Sequence, residues 1–217
     1  MSVMVKDPVS GLTHFIGACL AVAGLVLLVT KAAVAGKPWH VVSFSIFGAG
    51  MILLYTASTI YHWIPAVGKV RARLQKLDHM MIFVLIAATY TPVCLVALRG
   101  GWGWSLFGAV WFFAFVGIVL NFFHVGKNRL VSTAFYVGMG WLAIVGIWPL
   151  VQVLEPGALL WLLAGGIFYT AGALIYAGKR PDPWPSYFGY HEIFHLFVMA
   201  GTFSHFWMMY RYIAAIA

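Results

Sequence analysis

Charged side chains are scarce in this sequence of 217 residues, and acidic ones are the scarcest. Only 8% of the residues are charged and just five are Asp or Glu, whereas 63% are hydrophobic. A soluble domain carries about 25% charged residues, so this composition is typical of a membrane protein. Five acids are too few to solvate the surface of a soluble protein of this size.

Cysteine is also rare, since the chain has only Cys19 and Cys94, both inside apolar segments. They form no metal-binding pattern, and we expect two small core residues and no disulfide. The net charge of +8 could suggest a nucleic-acid partner. No basic cluster is interleaved with stacking aromatics in a polar stretch, so we expect no nucleic-acid partner. We attribute the positive charge to loops that face a negatively charged cytoplasmic leaflet.

Long hydrophobic runs are abundant. A helix needs about 20 apolar residues to cross the hydrocarbon core of a bilayer. No small-residue cleavage site follows the first run, so we interpret it as a retained helix and not as a signal peptide. The connections are short, and no soluble domain fits between the runs. We therefore predict an all-α polytopic membrane protein, a bundle of seven transmembrane helices that forms a single domain over residues 1–217. The seven segments are 12–30, 41–63, 80–98, 103–123, 131–153, 157–178 and 190–212.

The basic residues predict the orientation of these helices, because cytoplasmic loops carry an excess of Lys and Arg. A cytoplasmic N-terminus would place nine basic residues inside and four outside, so we predict a cytoplasmic N-terminus and an external C-terminus. The nine are Lys6, Lys69, Arg71, Arg73, Lys76, Lys127, Arg129, Lys179 and Arg180. The four are Lys31, Lys37, Arg99 and Arg211.

Two histidines at the start of the last segment carry the strongest functional signal. His191 and His195 are four residues apart, which places both imidazoles on one helix face, about 6 Å apart along the axis. Such a pair can bind one zinc ion, and it lies at the end of an otherwise apolar helix. The alternative is a pair of interfacial histidines without a metal. We favour metal binding because other polar residues converge on the same inner membrane depth.

Those polar residues are Ser58, His62 and Asp78. Ser58 and His62 share one face at the inner end of the second segment, and Asp78 begins the third. Taken alone, Asp78 could cap its helix, and His62 could be an interfacial residue. Together with His191 and His195, they predict three imidazole ligands, His62, His191 and His195, and a carboxylate that orients a water or a ligand ring. Three ligands leave a fourth zinc position open for a nucleophilic water.

Three further polar residues, Glu192, His205 and His14, could also belong to this site. His191-Glu192-x-x-His195 matches the metalloprotease pattern, in which the glutamate is the general base. Glu192 is turned about 100° from the ligand face, so we expect a helix-end carboxylate instead. His205 lies about 15 Å farther along the helix and should hydrogen-bond within the bundle. We expect His14 to be a packing residue, or to support a ligand from behind.

Ser58-x-x-x-His62, Leu77-Asp78-His79 and His191-x-x-x-His195 resemble the motifs of the hemolysin III family, the bacterial branch of the progestin and adipoQ receptor family. The resemblance covers essentially the whole chain. It implies that His62, His191 and His195 bind Zn²⁺ near the cytoplasmic face, that Asp78 contacts a water on the zinc, and that Ser58 is the motif serine. The long cytoplasmic tail of the animal receptors is missing, which favours a minimal form in the inner membrane of a bacterial cell.

The resemblance leaves three functions open. The first is a zinc hydrolase of membrane lipid amides, similar to the alkaline ceramidases of the wider superfamily, with Asp78 and Ser58 as catalytic residues and membrane lipids as substrate. The second is a non-enzymatic receptor or membrane-homeostasis protein with a structural zinc. The third is a haemolytic protein that permeabilises membranes. A pore former usually needs a soluble or amphipathic state before insertion, and this chain has neither, so we rank it last.

Overall fold

The computed structural model describes residues 6–124, 129–184 and 187–217, and these are almost wholly helical. Lys127, one of the basic residues used to predict the orientation, lies outside the described residues. Eight α-helices follow one another along the described chain. They are α1 (Pro8–Val34), α2 (Pro38–Trp63), α3 (Gly68–Pro92), α4 (Gly101–His124), α5 (Arg129–Gly140), α6 (Ile147–Val153), α7 (Pro156–Gly178) and α8 (Tyr190–Arg211).

Two stretches of non-α helix connect or extend these helices, and the eight described helices form seven spans. A π-helical turn, Val93–Ala97, continues α3 directly after Pro92, where the missing N–H interrupts the regular hydrogen-bond ladder. A 3₁₀ stretch, Trp141–Gly146, joins α5 to α6. The described helices therefore correspond one to one with the seven predicted segments, which confirms the all-α polytopic class.

Six of the described spans are long and apolar enough to cross a membrane. The seventh, α8, has 22 residues and is long enough. It is less apolar than the others because it carries His191, Glu192, His195 and His205. Two of the three histidines predicted as ligands, His191 and His195, thus lie in this span.

The third span begins earlier than predicted. The helix starts at Gly68, whereas the predicted span starts at residue 80. The additional turns carry four basic residues, so a search for continuous apolar residues does not detect them, although the backbone continues as one helix. They extend α3 beyond its apolar part, and Gln75 there lines the same cavity as Arg129 at the start of α5.

The spans pack in a closed order around an internal cavity. α1 packs against α2 and α8, α2 against α3, α3 against α4, and α7 against α8 and α5. Large apolar side chains point away from this core, including Leu20, Phe115 and Leu174, each more than 60% exposed. In water such exposure would be unfavourable, whereas it suits a surface that contacts lipid. Cys19 and Cys94 are both free. Cys94 is buried as predicted, whereas the prediction of a core position is wrong for Cys19, which is exposed.

Candidate metal centre

The structure brings together the three histidines predicted as metal ligands. One ring nitrogen each of His62, His191 and His195 lies within 4.8 Å of the other two. The Nε2 atoms of His62 and His191 are 3.1 Å apart. Nitrogen ligands at zinc-bond length around a tetrahedral ion are about 3.3 Å from each other, so this spacing fits a small divalent cation. Among the described residues, this group, called the metal group below, contains three possible ligands.

The carboxylate of Asp7, just before α1, holds the ring of His62 in place. The Nδ1 of His62 lies 3.2 Å from Oδ2 of Asp7, and the Asp7 amide donates to the His62 carbonyl at 3.0 Å. Burial raises the pKa of Asp7, but hydrogen bonds from Lys6 and His62 outweigh it and hold that pKa below its ordinary value. An ionised carboxylate only accepts hydrogen bonds, so the proton of His62 lies on Nδ1.

The ring of His195 is fixed by the same helix. Its Nδ1 lies 3.2 Å from the carbonyl oxygen of Ser10 and 3.1 Å from the hydroxyl of Thr13. His14 stacks in parallel on His195, with ring centres 3.6 Å apart. The Ser10 carbonyl accepts a hydrogen bond from the Nδ1–H group of His195, which leaves the lone pair of that ring on Nε2. His14 was predicted to pack or to support a ligand from behind, and the stacking on His195 agrees with both.

These contacts test whether the group fits a metal ion. In both His62 and His195, the Nδ1 proton is committed to an acceptor in α1 or just before it, and Nε2 is left as a lone pair. Facing lone pairs need a positive partner, either a proton, as in an N–H···N hydrogen bond between His191 and His62, or a bound cation. Imidazoles held by a carboxylate or a carbonyl on the other nitrogen are typical metal ligands. The three rings therefore fit a divalent cation.

Glu192 belongs to the support of this site and not to its ligands. Its Oε2 accepts the backbone N–H of Gly189 at 2.8 Å, which caps the start of α8. Its Oε1 accepts a hydrogen bond from the hydroxyl of Ser10. The prediction of a helix-end carboxylate is confirmed, and the same residue also ties α8 to α1.

A cavity of about 460 Å³ opens beside the three rings. Its wall includes His191, His195, Asp78 and Ser58, so both predicted catalytic residues share one enclosed space with two of the imidazoles. His62 does not line the cavity but contacts both rings, with centres 4.9 and 5.1 Å away. The Ser58 hydroxyl lies beside Asp78 without completing a hydrogen bond within 3.5 Å. Both side chains are buried.

His205 lies at the other end of this cavity. Its Nε2 is 3.2 Å from the carbonyl of Leu162, which confirms the predicted hydrogen bond within the bundle. A side chain at Gly165 would collide with the His205 ring, so this glycine makes room for it in α7. His205 is separate from the metal group, as the helix spacing predicts.

Sequence reasoning missed the contribution of the first helix. Asp7, Ser10 and Thr13 all contact a residue of the metal group or its support, yet none was predicted as a site residue. A signal for Asp7 did exist, because an acid at the inner end of the first span lies at the depth of the imidazoles. The contacts of Ser10 and Thr13 depend on how α1 packs against α8, which local spacing does not encode.

Comparison with known proteins agrees with this architecture. A family model described as haemolysin-III related matches residues 2–206. The chain is 39% identical to Hemolysin-3 of Bacillus cereus over 214 residues, which cover 98% of this chain and 94% of that protein. It is also 39% identical to the Hemolysin-3 homolog of Bacillus subtilis (strain 168) over 207 residues, 95% of this chain and 94% of that protein.

A more distant likeness extends beyond bacteria. The chain is 24% identical to the human monocyte to macrophage differentiation factor over 182 residues, which cover 81% of this chain and 72% of that protein. The family model and the two Bacillus relatives each span nearly the whole of this chain. On that coverage, the chain belongs to the haemolysin III family.

Proposed function

We propose that this protein is a zinc-dependent hydrolase of a membrane lipid amide, with its site near the inner face of a bacterial inner membrane. The observation that carries the proposal is a group of three imidazoles beside a cavity that also contains Asp78 and Ser58. Three protein ligands and an open fourth position are typical of catalytic zinc, whereas structural zinc normally has four protein ligands. The two Bacillus relatives, which match nearly the whole of this chain, support the proposed location in a bacterial membrane.

Each residue then has a defined task. A zinc ion in this group would polarise the amide carbonyl and acidify a water molecule. Asp78 orients the attacking water and takes up its proton, and Ser58 donates a hydrogen bond to the water or to the oxyanion. Asp7 and the Ser10 carbonyl keep the ligand rings in the required tautomer.

The remainder of the cavity suits an acyl chain. Its wall contains many apolar side chains from α2, α3, α5 and α8, and its volume of about 460 Å³ lies within the range of small-molecule sites. The apolar lining residues are Leu54, Ile82, Leu85, Ile86, Val137, Phe194 and Val198. A lipid could therefore place its amide at the imidazoles with its chain extending into the bundle.

A second candidate is a non-enzymatic membrane protein with a structural ion. It is favoured by the way the site joins elements: the imidazoles come from α2 and α8, and their hydrogen bonds lead to α1 and to Asp7 just before it. In this case the ion would stabilise the bundle, and Asp78 would have no chemical task. The two candidates differ in what Asp78 contributes.

Metal analysis of purified variants tests the site. We expect His62→Ala, His191→Ala and His195→Ala each to lower bound zinc severalfold, because each removes one of three ligands. His40→Ala is the matched control, since His40 is buried at the other end of α2 and bonds the Ile213 carbonyl. Undiminished zinc in all three ligand variants would end the assignment.

The rate of lipid-amide hydrolysis in an Asp78 variant distinguishes the hydrolase from the protein with a structural ion. We expect Asp78→Ala to retain zinc but to lower hydrolysis of a lipid amide by at least about 100-fold, the usual contribution of a general base. Lipid mass spectrometry of membranes with and without the active protein identifies the substrate to be assayed. Unchanged turnover in Asp78→Ala would favour the structural ion.

A further inference from the structure

The cavity carries positive charge at its inner mouth, which we define by Gln75, Arg129 and Lys179. These residues come from the start of α3, the first position of α5 and the end of α7, and all three line the cavity. Asp78 is the acidic residue among the lining side chains, so the described wall contains two permanent cations and one carboxylate. The proposed chemistry uses Asp78 and gives neither cation a task.

Arg129 is held close to the metal group. Its Nη2 donates to the carbonyl of Ala177 at 2.9 Å. Its guanidinium lies 5.4 Å from the centre of the Tyr176 ring, and that ring centre is 5.9 Å from the His191 ring. The guanidinium is therefore within about 11 Å of His191, held in place by a ring that favours cations. An anion bound there would lie a short distance from a carbonyl at the imidazoles.

Thr133 adds an unused hydrogen-bonding group to the same wall. It follows Arg129 by four residues on α5, so the two share one helix face. Thr133 is buried, it lines the cavity, and its hydroxyl has no hydrogen-bond partner among the described residues. A buried hydroxyl without a partner is unfavourable, so its position on the wall suits a ligand that accepts a hydrogen bond.

Lys179, directly after α7, has a backbone conformation that is uncommon for residues other than glycine. It ends α7 in the left-handed conformation, with φ of 55° and ψ of 35°. Glycine is the usual residue at this position of a helix end, because other residues are disfavoured there. Gly178 comes one residue too early to relieve the strain. The conformation places an exposed lysine at the edge of the cavity, opposite the start of α5.

We propose that the substrate is a lipid amide whose amine side carries an anion, a carboxylate or a phosphate, and that Arg129 and Lys179 bind this anion while Thr133 donates a hydrogen bond to it. This inference rests on the proposed hydrolysis. The reaction adds one water across the amide: the carbonyl carbon gains a C–O bond, the C–N bond breaks, and the nitrogen takes the proton. The products are a fatty acid and an anionic amine.

A neutral headgroup fits the mouth less well. It would leave two cations and the Thr133 hydroxyl facing a group that neutralises neither charge. An anion near the amide satisfies all three side chains at once, and bidentate pairing with a guanidinium is among the stronger polar contacts. The inner mouth therefore favours lipids with an anionic headgroup, whereas the rest of the cavity favours acyl chains that fit its shape.

Matched probes test the proposal through binding, independently of turnover. The zinc-loaded full-length protein is placed in nanodiscs of neutral phosphatidylcholine, and equilibrium binding is measured for two pairs of probes. N-oleoylglycine is compared with the neutral N-oleoylglycinamide, and N-oleoylethanolamine phosphate with the neutral N-oleoylethanolamine. Free inorganic phosphate and acetate serve as competitors. Binding is measured in the Asp78→Ala background, which should retain zinc without cleaving the amide, and mass spectrometry verifies that each probe stays intact. Turnover is assayed separately with the unaltered protein.

We expect at least one anionic probe to bind about tenfold more tightly than its neutral partner, as a charge-assisted contact allows. Arg129→Met and Lys179→Met should each reduce this ratio severalfold while leaving neutral-probe affinity unchanged. Arg129→Lys should keep part of it. Arg73→Met, at an exposed position on α3 that does not line the cavity, is the charge-matched control and should keep the full ratio.

The two proposals fail in different ways. Equal affinity for charged and neutral probes in both pairs, or an undiminished ratio in Arg129→Met and Lys179→Met, would overturn the anion subsite even if hydrolysis occurs. A preserved, Arg129-dependent ratio without turnover would uphold the subsite and reject the hydrolase. Complete displacement of the charged probes by free phosphate at equal concentration, with neutral-probe binding unchanged, would show that the mouth binds free anions and not the lipid headgroup.

Discussion

At the scale of single residues, the metal group depends on a carboxylate outside the imidazole set. Asp7 accepts a hydrogen bond from the Nδ1–H group of His62. This contact leaves Nε2 of His62 facing the rings of His191 and His195. We expect Asp7→Ala to weaken zinc binding about 10- to 100-fold, as is usual when a ligand histidine loses its carboxylate partner. The measurement is competition for zinc against a chelator of known affinity.

Two further variants make this test specific. Asp182→Ala removes another acid near the same end of the bundle, one that contacts the Tyr190 backbone and no imidazole, and should leave zinc affinity unchanged. Asp7→Asn keeps an acceptor oxygen and should fall between wild type and Asp7→Ala. Zinc affinity in Asp7→Ala equal to that of wild type would show that the contact does not orient His62.

The sequence predicted the three imidazoles that the structure brings together, because each was identified by regular helix spacing and a shared membrane depth. It could not predict Asp7, Ser10 and Thr13 as their supports. Those contacts join residues more than 50 positions apart and depend on which face of α1 packs against α2 and α8. Small and polar residues, Ser10, His14, Gly17, Ala21 and Gly24, do recur at helical spacing on the buried face of α1. That spacing marks the face but does not indicate which neighbouring helices it contacts.

At the scale of elements, close approach of α2 and α3 brings Ser58 next to Asp78. Gly50 of α2 makes this contact possible, since a Cβ there would come within 2.6 Å of the Ala88 Cβ. Small residues at helix contacts allow such packing in membranes. We expect Gly50→Val to lower the free energy of unfolding by roughly 1–3 kcal/mol, the usual cost of overpacking.

Thermal unfolding in detergent measures this change. Gly108→Val is the matched control, because Gly108 lies in α4 with no atom within 4 Å of an added Cβ. Both substitutions place the same β-branched residue in a helix, so the difference between them isolates the contact with α3. Equal melting temperatures for the two variants would mean that α2 and α3 separate without penalty.

Hydropathy predicted the existence of all seven spans but not their full lengths. It measures the part of a helix that is apolar, so it missed the basic turns between Gly68 and residue 80 in α3. It also gave no sign that one predicted segment, 131–153, contains α5, a 3₁₀ stretch and α6. Such local changes of helix type depend on neighbouring packing more than on composition.

At the scale of the whole molecule, the metal group, Asp78 and the inner mouth lie at one end of the bundle. The predicted cytoplasmic N-terminus would place that end at the inner leaflet, where the negative surface potential attracts basic residues. A hydrolase with this orientation would release its polar product into the cytoplasm and would act on lipids of the inner leaflet. The proposed function and the anion subsite therefore both depend on the orientation.

Reporter fusions in a bacterial host test the orientation. Alkaline phosphatase needs disulfides that form only outside the cytoplasm, so it is active only when exported. We expect phosphatase fused after Ala217 to be active and phosphatase fused after Lys179 to be inactive, whereas a fluorescent protein fused at Lys179 should give cytoplasmic signal. The bias in Lys and Arg residues is the physical reason, since positive loops are retained on the cytoplasmic side. The reverse pattern would move the imidazoles to the outer leaflet.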